Sequence, residues 1–184
     1  MSDFPFLVEG IEIPWSALTA EHIESSMDEA IRRAEIALKA LIDSEEVSYE
    51  GTFGAYEQLV DTVSNPWGLI AHLENVANTP EFRKAYEATD PKVTRFLSGL
   101  PLNGDLWNRL KAFGKSEAVL ALEPIRQRLI TETMRGFEES GADLEEAKKS
   151  RLLAIEEKLT DLTSKFGMNA MDSRNAFELL IDAE

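Results

Sequence analysis

Apolar side chains recur at every third or fourth position through most of this 184-residue chain. This spacing lines up side chains on one side of a helix, and no segment alternates apolar and polar residues over the length of a strand. The clearest run comprises Ile23, Met27, Ala30, Ile31, Ala34, Leu38 and Leu41. The sequence therefore predicts an all-α fold, an antiparallel bundle of long, partly kinked helices joined by short loops.

The first 18 residues differ from the rest because Pro5, Gly10 and Pro14 interrupt any helical pattern. We predict that residues 1–18 form an extended lead-in, which Trp15 pins to the helical body. Residues 19–184 contain no linker rich in Gly, Ser or Pro, and their number suits one domain. They are therefore predicted to form a single helical domain.

Prolines mark the least certain helix boundaries. Thr79 before Pro80 is typical of a helix start, with a capping residue followed by proline at the first helical position. Pro66 falls inside a helical pattern, where it is expected either to kink or to divide the helix. Pro91 leaves one kinked helix or two short ones over residues 80–99. Pro124 indicates either a kink or a later start for the helix predicted over residues 116–139.

The last predicted helix starts near Asp143, after Gly141, which suits the left-handed position at a helix end. Its apolar residues step alternately by three and four, as in a coiled-coil heptad. They are Leu152, Ile155, Leu159, Leu162 and Phe166. We predict that these five residues, called here the seam, pack against another helix.

Composition excludes several classes of function. The chain has 19 basic and 34 acidic residues, a net charge of −15, which disfavours nucleic acid and anionic membranes as partners. It has no cysteine, so disulfides, thiolate metal sites and thiol nucleophiles are excluded. Its start has neither the basic residues nor the apolar run of a secretory signal. We expect a cytoplasmic protein.

Few residues could carry catalysis. His22 and His72 are the only histidines, and neither a His-Glu-x-x-His nor a Glu-x-x-His pattern occurs. No serine has the Gly-x-Ser-x-Gly context of a hydrolase. Adjacent glutamates point about 100° apart on a helix, so they indicate a solvated face. We predict no catalytic residue and no metal ligand in this chain.

One polar group is a candidate contact site. His72, Asn75 and Asn78 are spaced by three, which places them along one helix face. They could line a channel or contact another domain. The alternative, which the sequence supports at least equally, is that the helix ends here. In that case an asparagine caps the helix and His72 is an ordinary surface residue.

Several segments, taken in order, resemble a known family. They are residues 15–23 (WSALTAEHI), 52–53, 67–86 (WGLIAHLENVANTPEFRKAY), 137–144 (FEESGADL) and 166–177 (FGMNAMDSRNAF). Together they resemble the N-terminal region of the M3 family of zinc oligopeptidases, in the branch of oligopeptidase A, dipeptidyl carboxypeptidase and thimet oligopeptidase. Ala20 and Ser25 depart from it, because the family often has proline at these positions.

The resemblance implies a noncatalytic N-terminal domain with a neurolysin-like helical fold. Such a domain forms one wall of a deep channel that admits short, unstructured peptides. The resemblance further implies that zinc belongs to a C-terminal catalytic domain, absent from this chain, on which the N-terminal domain packs. We therefore expect the chain to be a fragment of a longer peptidase with no activity of its own. The alternative is a free-standing helical module that binds peptides or proteins.

Overall fold

The computed structural model describes residues 3–8, 10, 12–77 and 79–178. This part of the chain contains six α-helices and no strand, which confirms the predicted all-α class. The helices are α1, Ile23–Asp43; α2, Ala55–Val76; α3, Pro80–Gly99; α4, Gly104–Gly114; α5, Pro124–Glu139; and α6, Glu146–Asn175. Short 3-10 helices occupy Trp15–Ala17, Ala20–His22 and Glu117–Ala121, and a π-helical turn, Glu50–Gly54, leads into α2.

Local capping chemistry explains where several helices begin and end. The Thr79 hydroxyl accepts a hydrogen bond of 3.2 Å from the Phe82 amide at the start of α3. The Asn103 side chain accepts one of 2.9 Å from the Leu106 amide at the start of α4. Each cap satisfies an amide that has no partner inside its helix. After α5, Gly141 adopts a φ of 92°, as its predicted role requires.

The prolines resolve the alternatives that the sequence left open. Pro66 lies buried inside α2, and the helix runs past it undivided. Pro91 lies inside α3, so residues 80–99 form one helix. Pro124 is the first residue of α5, which is the later start, and the preceding residues form a separate 3-10 helix. α6 begins at Glu146, three residues later than predicted.

The core lies where α1, α2 and α3 pack against one another, with α4 joining it through α1 and α5. Its fully buried large side chains include Ile23, Met27, Phe53, Leu59, Ile70, Leu106, Leu110 and Ile130. The lead-in also contributes, because Phe6 has no exposed surface. Phe6 and Leu18 therefore enter the core from this segment, whereas Trp15 remains 51% exposed.

Candidate functional site

The predicted contact residues lie at the exposed C-terminal end of α2. The ring of His72 lies against that of Trp15, with 6.2 Å between centroids, so the lead-in covers one side of the imidazole. The Asn75 amide donates a hydrogen bond of 2.8 Å to the carbonyl of Ala71 within the same helix. Asn78 lies outside the described residues. The other histidine, His22, is half-buried, and its Nδ1 lies 2.8 Å from the Thr19 hydroxyl.

Asn75 borders an open groove of about 450 Å³ between the end of α2, α3 and α6. The other side chains along it include Glu74, Tyr86, Ser164, Met168, Met171 and Arg174. Burial, together with the nearby carboxylates of Asp90 and Glu74, raises the pKa of Tyr86 to about 12. The ring of Tyr86 also stacks on Trp67, with 4.7 Å between centroids. The groove therefore has a rigid aromatic wall and a polar rim.

α6 is held to α3 by polar contacts that run along both helices. The contact at one end is the Arg83–Asp172 ion pair, and that at the other is the Arg95–Glu157 ion pair. Between them, the Ser164 hydroxyl donates a hydrogen bond of 2.7 Å to the carboxylate of the buried Asp90. Residue numbers rise along α3 as they fall along α6, so the two helices are antiparallel.

The seam lies on the opposite side of α6. A step of five residues turns a helix by about 140°, which separates Leu159 of the seam from Ser164 of the α3 contact. Ile155, Leu159 and Leu162 are 50–53% exposed, and Phe166 is 76% exposed. Among the described residues no helix covers this stripe. The prediction that the seam packs against another helix is therefore wrong for this part of the chain. Only the first seam residue, Leu152, is partly buried, beside Gly141.

A continuous apolar stripe is more informative than scattered exposed residues. Single exposed apolar side chains are normal on protein surfaces, whereas contiguous ones mark contact surfaces. The side of α6 toward α3 is mixed, because the partly buried Met168 and Met171 lie there beside Ser164. The outward side, in contrast, carries the apolar seam, whereas an ordinary surface helix exposes its polar side. The arrangement fits a helix that lies between two neighbours, one of which is α3.

Comparison with known proteins identifies the family. The family profile of the neurolysin/thimet oligopeptidase N-terminal domain matches residues 27–149. The chain belongs to this family. It is 31% identical, over 91% of its length, to "Probable cytosolic oligopeptidase A" of Arabidopsis thaliana. It is 25% identical over 93% of its length to oligopeptidase A of Haemophilus influenzae, and 24% identical over 97% to dipeptidyl carboxypeptidase of Escherichia coli.

This neurolysin/thimet oligopeptidase N-terminal domain corresponds to one part of those relatives. The match covers 24% of the plant protein, 25% of the Haemophilus protein and 27% of the Escherichia protein. The chain therefore spans about a quarter of the length of the relatives it matches.

Two further properties concern the described part of the domain. None of its helices is long and apolar enough to cross a membrane. Nor does any group of three or more histidine, aspartate or glutamate side chains there converge as metal ligands would.

Sequence reasoning found Asn75 and the seam but missed most of the groove. Ser164 and Asp90 are 74 residues apart, and no local pattern pairs them. Tyr86 lies inside a segment that carried the family resemblance, but nothing in that segment distinguished it as a groove residue. The one related signal was the adjacent pair Glu156 and Glu157, which indicates a solvated face, although Glu157 forms an ion pair with Arg95 of α3.

Proposed function

We propose that this chain is the noncatalytic N-terminal channel-wall domain of a zinc metallo-oligopeptidase that cleaves short, unstructured peptides. Membership of the neurolysin/thimet oligopeptidase N-terminal domain family supports the proposal. The observation that carries the domain role is the exposed seam of α6, since it offers a second contact surface to a helix already packed on α3. In this proposal the seam side packs on a catalytic domain.

The proposed contribution of this domain is confinement of the substrate. A wall built from rigid helices narrows access to the reacting centre, so that extended peptides enter and folded proteins do not. The zinc ion would be held by the catalytic domain, where it would activate a water molecule for peptide hydrolysis. No residue of this chain is assigned to the metal.

The end of α2 is the proposed channel-lining part of the domain. His72 and Asn75 are both exposed there, and Asn75 borders the groove beside α6. Their side chains offer a ring nitrogen and an amide, which can form hydrogen bonds with the backbone of an extended peptide. Asn78 is included in this proposal on its sequence spacing alone.

We also propose that the protein works in the cytoplasm. The plant relative named as cytosolic supports this location. Another plant relative, 29% identical over 98% of this chain, is named as chloroplastic and mitochondrial. Fractionation of source cells, with the chain detected by antibody, would distinguish the cytoplasm from these organelles.

Two measurements test the proposed function. An antibody raised against residues 1–184 should detect, in a lysate of the source cells, a protein several times heavier than 20.6 kDa. The purified chain with added zinc should leave fluorogenic oligopeptides intact, while a bacterial oligopeptidase A cleaves them in parallel as the positive control. A native band at 20.6 kDa would favour the free-standing binding module instead. Chelator-sensitive cleavage by the pure chain would contradict the noncatalytic assignment.

A further inference from the structure

The seam of α6 has a charged edge that the packing on α3 does not use. Arg151, Lys158 and Lys165 follow one another at intervals of seven, so they lie along one side of the seam. All three are exposed. Within the described part of the chain, the side chains of Arg151 and Lys158 make no hydrogen bond or ion pair, and that of Lys165 binds only Asp161 of its own helix, at 2.9 Å. A basic edge thus borders an apolar stripe in a chain with a net charge of −15.

The opposite side of the seam lacks this charge. Its heptad positions hold Glu156, Thr163 and Ala170, preceded by Lys149, which is buried and paired with Glu146. A partner helix lying along the seam would therefore meet cations on one side and nearly neutral residues on the other. In paired helices, the residues that flank the apolar seam determine which partner and which orientation are accepted.

These charges argue against a second copy of the same chain as the occupant. Antiparallel pairing of two α6 helices would place basic edge against basic edge, and like charges in such positions repel. Parallel pairing would set each basic edge against Glu156, Thr163 and Ala170, which supply one carboxylate. Neither orientation neutralises the edge.

We propose that the seam binds an amphipathic helix with an acidic edge, supplied by the catalytic portion of the same polypeptide. This inference rests on the proposed function, because it takes its occupant from the part of the relatives' length that this chain does not span. The apolar stripe of that helix covers Leu159 and its neighbours. Its aspartate or glutamate side chains pair with Arg151, Lys158 and Lys165.

Zero-length coupling tests the proposal on the native protein purified from its source. A carbodiimide activates a carboxylate, and a lysine amine that touches it then forms an amide bond, while one carboxylate oxygen leaves as part of the urea formed from the carbodiimide. Lys158 should couple to an aspartate or glutamate beyond residue 184 in the same polypeptide, within a segment whose apolar residues recur at helical spacing. Peptide mass spectrometry identifies the coupled pair. Coupling of Lys92 to Asp28, which lie 2.9 Å apart, is the internal positive control.

Three variants of the full-length protein sharpen the result. Lys158→Arg keeps the charge but lacks the reactive amine, so it should lose this coupled peptide and keep the Lys92 one. Leu159 replaced by a photoreactive phenylalanine should label the same downstream segment, whereas the same replacement at Leu120, an exposed apolar residue after α4, should not.

Each outcome decides the proposal. Coupling to the downstream acidic helix supports it. Coupling to a second copy or to another protein, or a Lys158 that stays free in the long native protein, would overturn it while leaving the peptidase-domain role intact. A native protein of 20.6 kDa would instead overturn the proposed function, and this inference with it.

Discussion

Replacing Gly141 by alanine should destabilise the domain through a single turn. Gly141 follows α5 with a φ of 92°, a conformation that side-chain-bearing residues rarely adopt. Its amide donates to the carbonyl of Glu138 at 3.1 Å, and the amide of Ala142 donates to that of Phe137 at 2.9 Å. This is the paired hydrogen bonding of a Schellman motif, which depends on the left-handed residue.

The expected magnitude follows from three effects. An alanine in a left-handed conformation costs about 1–2 kcal/mol. Its Cβ would lie 2.7 Å from Leu144 Cδ1 and 2.9 Å from Leu152 Cδ2, and displacing these flexible side-chain ends adds about 1 kcal/mol. Loss of backbone freedom in the unfolded chain offsets about 0.5–1 kcal/mol. The free energy of unfolding should therefore fall by about 1–2.5 kcal/mol.

Thermal unfolding followed by circular dichroism at 222 nm measures this change. A loss of that size lowers Tm by about 2–10 °C in a domain of this length. Gly136→Ala is the matched control, because Gly136 lies inside α5 and an added Cβ there meets nothing within 4 Å. The control should raise stability by about 0.5–1 kcal/mol, since alanine is the better helix former. If Gly141→Ala unfolds at or above the wild-type temperature, the turn does not constrain the domain as argued.

The remaining predictions concern titration. Trp107 Nε1 and Lys111 Nζ donate to the Asp143 carboxylate at 2.9 and 3.0 Å, and these bonds hold its pKa below the ordinary 3.8. The ionised Asp143 therefore stabilises the folded state at pH values above 3.8, and this contribution is lost as the pH falls through the lower folded-state pKa. Asp143→Asn should therefore flatten the decline of Tm between pH 4 and pH 2, and an unchanged decline would contradict it. Burial raises the pKa of Tyr56 and Tyr86 to about 12. The neutral phenols therefore contribute fully to the stability of the folded state below pH 10, the ordinary pKa, and this contribution is lost as the pH rises toward 12. Absorbance at 295 nm should show no ionisation of either ring near pH 10 in the folded protein, and ionisation of both near pH 10 in urea.

Local signals in the sequence predicted the helices well. Thr79 before Pro80 and Gly141 after α5 act through hydrogen bonds that span three to five residues, so the sequence alone could indicate them. The effect of Pro66 was harder to predict. Whether a proline divides a helix depends on the packing around it, and Pro66 is buried inside α2.

Interactions between distant segments could not be predicted from sequence. The spacing of the seam was read correctly, but spacing does not indicate which side of a helix meets its neighbour. The polar contacts that orient α6 are made to Arg83, Asp90 and Arg95 of α3, which lie 62–89 residues earlier in the chain. Phe6 was missed for a similar reason, since a lone aromatic residue in a lead-in carries no periodic signal.

The attachment of α6 also has a consequence for the order in which the domain opens. Helices α1, α2 and α3 share a buried apolar core, whereas α6 packs chiefly on α3 and buries one of its own residues, Lys149. Regions with few buried apolar contacts open locally at a lower free energy than the global unfolding. In the isolated domain, the amide protons of α6 should therefore exchange with solvent ahead of those of α1 and α2. We therefore expect α6 to open separately from the core helices, and its amide exchange to slow once a second helix lies on the seam.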